Sequence, residues 1–310
     1  MHSLLVGVFS ILIISGSFGQ ENSEELPERS ISFFQADTSQ NKNRVLGTSV
    51  SIGTVWIGSM IGLQAIWYND TIPNKFKFFD DSKNWLQMDK VGHVYTAYQL
   101  NKLTTGLYLW TGIDNKKATW IGFGISTGFQ TTLEVLDGFS GTWGLSWADV
   151  ASNTLGSALY ASQQLTWEEQ RILPKFSYSP SPFAPVRPNI LGSSFAESLL
   201  KDYNGQTYWF SFSPRSFFPG LKIPKWACLS FGYSAHEKLV GSETTYTDPL
   251  TGITYNEQRE FLFSLDIDFS KLDIKKPWLK TIVKQFNYLK IPFPAVIFRN
   301  GQVIANPLYF

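Results

Sequence analysis

In a chain short of ions, a few polar side chains fall at spacings that let them meet. Asp89 and His93 are four residues apart and share one face of any helix that carries them. Glu134 and Asp137 follow in a second apolar segment, and Asp149 and Asn153 are again four apart in a third. If three helices pack side by side, these groups converge. One histidine with several carboxylates can hold a divalent cation, or pair a general base with an acid. The catalytic candidates are therefore His93, Glu134, Asp149 and Asp89, and Lys90, Asp137, Ser146 and Asn153 complete the constellation. Each member also has a quieter use. Asp89 can cap the helix that follows it, and Ser146 with Asp149 resembles a capping box with Asp in place of Glu or Gln. Lys90 can neutralise a carboxylate, Asn153 can bridge two helices, and His93 can be a satisfied core histidine. A structural network is the favoured reading and a reaction centre the competing one; metal and cofactor stay unknown.

The elements that must position these groups are three helices, expected over residues 89–107, 117–136 and 147–164. Before them, residues 45–68 carry no charge and end in the aromatic pair Trp67 and Tyr68, a pattern of membrane boundaries. Gly58 and Gly62, and again Gly124 and Gly128, form GxxxG motifs of the kind that lets helices approach closely. Thr166, Trp167, Glu168 and Glu169 read as a capping box opening a short last helix that ends before Pro174. Pro180, Pro182, Pro185 and Pro188 then exclude a helix or a central strand, which places a domain boundary there. Beyond it the period becomes two. Phe261, Phe263, Leu265, Ile267 and Phe269 alternate with Leu262, Ser264, Asp266 and Asp268, the pattern of a half-buried strand. Similar runs cover 207–213, 229–235 and 295–298. Trp278, Ile282, Phe286 and Leu289 repeat at helical spacing, so an amphipathic helix either covers the sheet, the favoured reading, or lies in a lipid interface.

Charged residues are only 16% of the 310, against roughly 25% in soluble proteins, and aromatics are also 16%. A net charge of +1 gives no field to attract nucleic acid. A mean hydropathy of −0.09 is too polar for a chain made mostly of spanning helices. Residues 1–19 read as a secretory signal, with an apolar run followed by small residues before Gln20. Cys228 is the single cysteine, so no intrachain disulfide forms, no lipidated cysteine stands at the cleavage site, and attachment is expected from the folded chain itself. With only His93 and His236 beyond the signal, a multi-histidine zinc centre is not expected. GxSxG, Walker and HExxH motifs are absent. Phe310, after Leu308 and Tyr309, resembles the aromatic end of outer-membrane strands, but the strands fall short of the eight of the smallest barrels.

Asp89, Lys90, Gly92 and His93, then Leu133, Glu134, Asp137, Gly138 and Ser140, then Gly144, Ser146, Trp147, Asp149, Asn153 and Gly156 together resemble the YfiM-type predicted periplasmic lipoprotein family, a domain of unknown function. The resemblance covers residues 78–165. More distantly the chain is similar to VanZ-like membrane proteins. The resemblance implies an envelope protein and no particular activity, and the missing lipidated cysteine departs from the family's pattern.

The expected fold is α+β: a signal peptide at 1–19, a flexible polar lead-in at 20–44, a membrane-associated helical bundle at 45–174, a proline-rich linker at 175–190, and a β-rich unit with an amphipathic helix at 191–310. The expected function is an exported, membrane-associated cell-envelope protein acting by structure or binding, at the outer membrane or facing the periplasm and not lipidated, with membrane lipid as partner. The alternative is an envelope enzyme acting on a lipid or cell-wall precursor through the His and carboxylate site.

Overall fold

The computed structural model describes residues 36–67, 75–141 and 143–310. The expected signal peptide, most of the lead-in and Tyr68 lie outside these residues. Four long helices come first: α1 Lys42–Trp67, α2 Met88–Trp110, α3 Asn115–Phe139 and α4 Trp147–Trp167. The lead-in is fastened sooner than its polarity predicts. The Asp37 and Asn41 amides donate to the carbonyls of Trp110 and Thr111 at 3.1 and 2.9 Å, tying the start of α1 to the end of α2.

Helices α2, α3 and α4 pack on one another through small and polar groups. The Asn101 amide donates to the Ser157 carbonyl at 2.9 Å, Ser126 to the Ala97 carbonyl at 2.8 Å, and Ser157 to Ser126 at 2.8 Å. The glycines that allow this closeness are not those of the GxxxG motifs. A Cβ on Gly156 would lie 2.1 Å from the Val94 carbonyl oxygen, and one on Gly122 would lie 2.2 Å from Thr105 Oγ1. Gly58, Gly62 and Gly124 have nothing that close, and Gly128 receives the Trp56 ring of α1. A glycine spacing marks an available groove; the groove used is the one opposite a partner's backbone.

The capping-box reading at 166–169 is also corrected. Helix α4 runs through Trp167, and Glu168 closes it in the left-handed conformation at φ 53°. No helix follows: β1 spans Ile172–Tyr178, crossing the expected boundary at 174/175, with Pro174 tolerated because β1 is an edge strand. Helix α5, Phe195–Lys201, leads to β2 Gln206–Phe212 and β3 Ala227–His236. A short hairpin, β4 Thr245–Thr247 and β5 Thr254–Asn256, precedes β6 Gln258–Ile267. Helix α6, Pro277–Lys284, then leads to β7 Phe293–Arg299 and β8 Gln302–Tyr309. The six longer strands form one antiparallel sheet in the order β1-β2-β3-β6-β7-β8.

That sheet is strongly curled. Lys175 of β1 reaches Asp266 of β6, three strands away, at 2.8 Å, and Thr207 of β2 meets the Tyr309 hydroxyl of β8 at 2.9 Å. The inside of the curl holds Lys175, Trp209, Ser211, Ser230, Leu262 and Asp266, all buried. Its outside, on β3, β6, β7 and β8, presents Leu229, Phe231, Phe261, Phe263, Leu265, Val296, Phe298 and Val303. The two-residue period predicts the half-buried strand, and the covered face is the one carrying Asp266: Asp266 is 3% exposed and Leu265 is 57% exposed. Alternation reports two faces and cannot say which one is covered. On β1 and β2 the outer side packs against α2, where Phe176 and Tyr208 meet Tyr95.

Helix α6 is amphipathic as expected but does not cover the sheet with its apolar side. Trp278, Ile282 and Phe286 are all about half exposed. Helix α1 is similar, with Leu46, Ile57 and Ile61 pointing outward. It is the one helix among the described residues that is long and apolar enough to cross a membrane.

Candidate functional site

The site begins with an unusual entry into α2. Trp85, Leu86 and Gln87 are successive non-glycine residues in the left-handed region, at φ 51°, 53° and 61°. Each such residue costs about 1–3 kcal/mol unless its surroundings impose it. Here they do. The Trp85 amide donates to Gly241 at 2.8 Å, and the Leu86 carbonyl accepts from the Tyr233 hydroxyl at 2.5 Å and from Arg259 at 3.1 Å. The turn sends the first turns of α2 inward, so that Asp89, Lys90 and His93 face α3 and α4.

From α4, Ser146 caps the helix by accepting the Asp149 amide at 3.2 Å, which leaves the Asp149 carboxylate directed at α2 rather than back at its own backbone. Asn153, one turn later, accepts from His93 Nδ1 at 2.8 Å. In the Nδ1–H tautomer, which this orientation of Asn153 calls for, Nε2 is turned toward the carboxylates: Asp149 at 3.4 Å, Asp89 at 3.9 Å and Glu134 at 4.0 Å. Glu134 arrives from α3, is 1% exposed, and its Oε1 has no hydrogen-bond partner. The Lys90 ammonium sits on the other side, 2.6 Å from Asp81, 2.7 Å from Asp149 and 3.0 Å from Asp89.

The electrostatics follow from burial and crowding of like charge. Burial, reinforced by Asp149, Asp137 and Asp89, pushes the Glu134 carboxyl up to about 9. Burial also pushes Asp149 upward, against the pull of His93 and Lys90. For Lys90, burial opposes the charged form, but Asp89 and Asp149 outweigh it and hold the ammonium above its ordinary range.

Of the residues singled out by spacing, His93, Asp89, Lys90, Glu134, Ser146, Asp149 and Asn153 come together. Asp137, three residues after Glu134 on α3, is buried beside them. Two participants had no such signal. Asp81, in the loop before α2, accepts from Ser146 at 2.5 Å as well as from Lys90. Tyr203, after α5, donates to Asp89 Oδ1 at 3.0 Å. Asp81 stands next to Asp80 in an ordinary-looking polar loop, and Tyr203 lies in the other half of the chain, where no periodicity links it to α2.

Residues 77–164 match the model of a family described as predicted periplasmic lipoprotein (DUF2279). The matched stretch runs from the loop before α2 to near the end of α4, so of the groups named above around His93 it contains all but Tyr203. It agrees with the YfiM-type resemblance and fits an exported envelope protein. No curated protein and no solved structure matches the chain. The lipoprotein description and the expected lack of lipidation point in different directions, since the single cysteine, Cys228, is buried in β3.

Proposed function

We propose that this is an exported, membrane-associated envelope protein that acts by structure or binding, held at a lipid bilayer by its folded surface. The observation that carries this reading is the outer face of the curled sheet. Leu229, Phe231, Phe261, Phe263, Leu265, Phe298 and Val303 are more than a third exposed on adjoining strands. The inside mixes polar groups such as Lys175, Ser211 and Asp266 with an apolar cluster of Trp209, Leu262, Ala295 and Ile297, so it is the outer apolar face that resembles sheets facing lipid, and contiguous patches of this kind are rare on soluble monomers. Helix α6 adds the complementary charge. Lys275, Lys276, Lys280 and Lys284 surround Trp278 and Ile282, with Asp273 the one acid over 273–284, a combination suited to anionic headgroups. The outward apolar side of α1 supports the same reading.

A probe on the sheet tests this directly. The Cys228 thiol is buried and pushed up to about 12 by burial, so a Phe263→Cys variant takes a thiol-reactive, polarity-sensitive dye at one place. On vesicles of phosphatidylethanolamine and phosphatidylglycerol the dye is expected to shift toward the blue. A dye that stays in water on vesicle-bound protein, or that is shielded only as protein concentration rises without lipid, removes the lipid reading; the second result assigns the face to a second copy of the chain. Release of the whole protein by alkaline carbonate would likewise remove the integral attachment.

A further inference from the structure

We infer that His93, Asp89, Glu134 and Asp149 form a binding site for one divalent transition-metal ion of the zinc or manganese kind. Three ligand atoms, from Asp89 and His93 on α2 and Asp149 on α4, lie within 4.8 Å of one another, and Glu134 Oε1 of α3 stands 4.0 Å from His93 Nε2. For metal–ligand bonds of about 2.0–2.2 Å in a tetrahedron, neighbouring donors stand about 3.3–3.6 Å apart. The separations from His93 Nε2 are 3.4 Å to Asp149, 3.9 Å to Asp89 and 4.0 Å to Glu134, so the imidazole already stands near tetrahedral spacing from each carboxylate, and binding has to draw the carboxylates, Glu134 most, toward one another.

The surroundings are those of a supported site. Metal-bound imidazoles donate their second N–H to a fixed acceptor, and His93 Nδ1 is so held by Asn153 at 2.8 Å. Ligating carboxylates are themselves hydrogen-bonded: Asp89 accepts from Tyr203 at 3.0 Å, Asp149 contacts the Lys90 ammonium at 2.7 Å, and Glu134 accepts the Ser146 amide. Lys90 does not fill the position. It holds Asp81 Oδ2 and Asp89 Oδ2, while the Asp89 oxygen nearest the imidazole is Oδ1; Asp149 Oδ1 is the one ligand oxygen it shares, at 2.7 Å, so a bound ion competes with the ammonium there.

An independent observation points to a ligand. Glu134 Oε1 is buried, directed at the imidazole, and without a hydrogen-bond partner. A buried carboxylate oxygen left so is costly, and a cation among these four groups satisfies it. Charge argues the same way, because Asp81, Asp89 and Asp149 gather around a single ammonium. A mixed set of one imidazole and three carboxylates suits zinc, manganese or ferrous iron better than magnesium or calcium. Asp89, the partly exposed member, lies on the side from which an ion enters.

The test uses the full chain, freed of metal by a chelator and titrated calorimetrically with Zn2+, Mn2+ and Mg2+. One Zn2+ or Mn2+ per chain is expected, with a rise in Tm, and Mg2+ binding much more weakly. Glu134→Gln, which keeps shape and removes charge, is expected to weaken binding by about tenfold or more, and Asn153→Ala, which removes no ligand, by about 10–100-fold. His93→Gln should abolish the Tm rise. If that variant does not fold, Glu134→Gln and Asn153→Ala decide. Absence of stoichiometric binding by the folded wild type, or equal affinity in the variants, overturns the inference.

Discussion

The helical unit and the curled sheet both bury charge beneath apolar exteriors, yet they balance that charge differently. In the sheet, the fully buried Lys175 meets one carboxylate, Asp266, at 2.8 Å, and each partner has further bonds: Lys175 to the Ile267 carbonyl at 2.7 Å and Asp266 from Ser211 at 2.6 Å. In the helices, one ammonium serves Asp81, Asp89 and Asp149, and Glu134 stands beside them with its carboxyl raised to about 9. The sheet pair is matched in charge, one ammonium to one carboxylate, although Asp266 Oδ1 is also buried without a hydrogen-bond partner. A surplus of carboxylates draws a proton or a cation, so the difference separates a structural ion pair from a site able to bind.

The sharpest way to break the comparison is to remove one charge from each centre. Asp266→Ala leaves Lys175 without its counter-ion and is expected to cost about 3–5 kcal/mol in chemical denaturation, and Lys90→Met should cost a similar amount. Added Zn2+ should restore stability to the Lys90 variant alone. Equal recovery of both, or of neither, would make the two centres alike. Leu262 and Phe263 test which face of the sheet is covered. Leu262→Ala, at a fully buried position, is expected to lose about 2–5 kcal/mol. A steric probe comes next: Gly156→Ala pushes a methyl group toward the Val94 carbonyl and is expected to cost about 1–3 kcal/mol, whereas Gly124→Ala should be neutral or slightly stabilising.

A pH dependence distinguishes the sheet as well. Burial, with Arg299 nearby, pushes His236 down to about 4, and Glu237 opposes this. The unfolded chain therefore binds the proton first, and the stability this group contributes is present above pH 6.5 and lost as pH falls toward 4. With its side chain a quarter exposed, roughly 1–3 kcal/mol is expected to disappear over that window, and His236→Gln should flatten the profile. Glu260 and Arg299 face the same ring, so the profile is read against a Glu260→Gln control. A small effect is expected at Phe263→Ser in detergent, about 1 kcal/mol, because the half-exposed ring loses only its edge contacts with Phe231 and Phe298.

Much of the helical half was legible because its message is spacing. Asp89 with His93, and Asp149 with Asn153, are neighbours by helix geometry alone, and capping by Ser146 follows from local chemistry. What spacing cannot carry is the approach of distant segments. Asp81 and Tyr203 join the centre through tertiary contact, and Gly156 rather than Gly124 supports close packing because only Gly156 stands opposite a partner's backbone. In the sheet, the period of two identified β2, β3, β6 and β7 but not β1 or β8, and it could not say that the apolar side of β6 is the one left exposed. The amphipathic pattern of α6 was likewise real, and its apolar side remained uncovered.

The left-handed run at Trp85, Leu86 and Gln87 sets an order of assembly. These residues precede α2, but the Gly241 carbonyl, the Tyr233 hydroxyl and the Arg259 guanidinium that hold them belong to chain emerging much later. During synthesis or export, the three helices can therefore gather before the sheet exists, while the turn that aims Asp89 and His93 waits for it. The centre's alignment therefore depends on the sheet, and truncating the chain before Arg259 is expected to leave helices whose polar groups are near one another but not aligned.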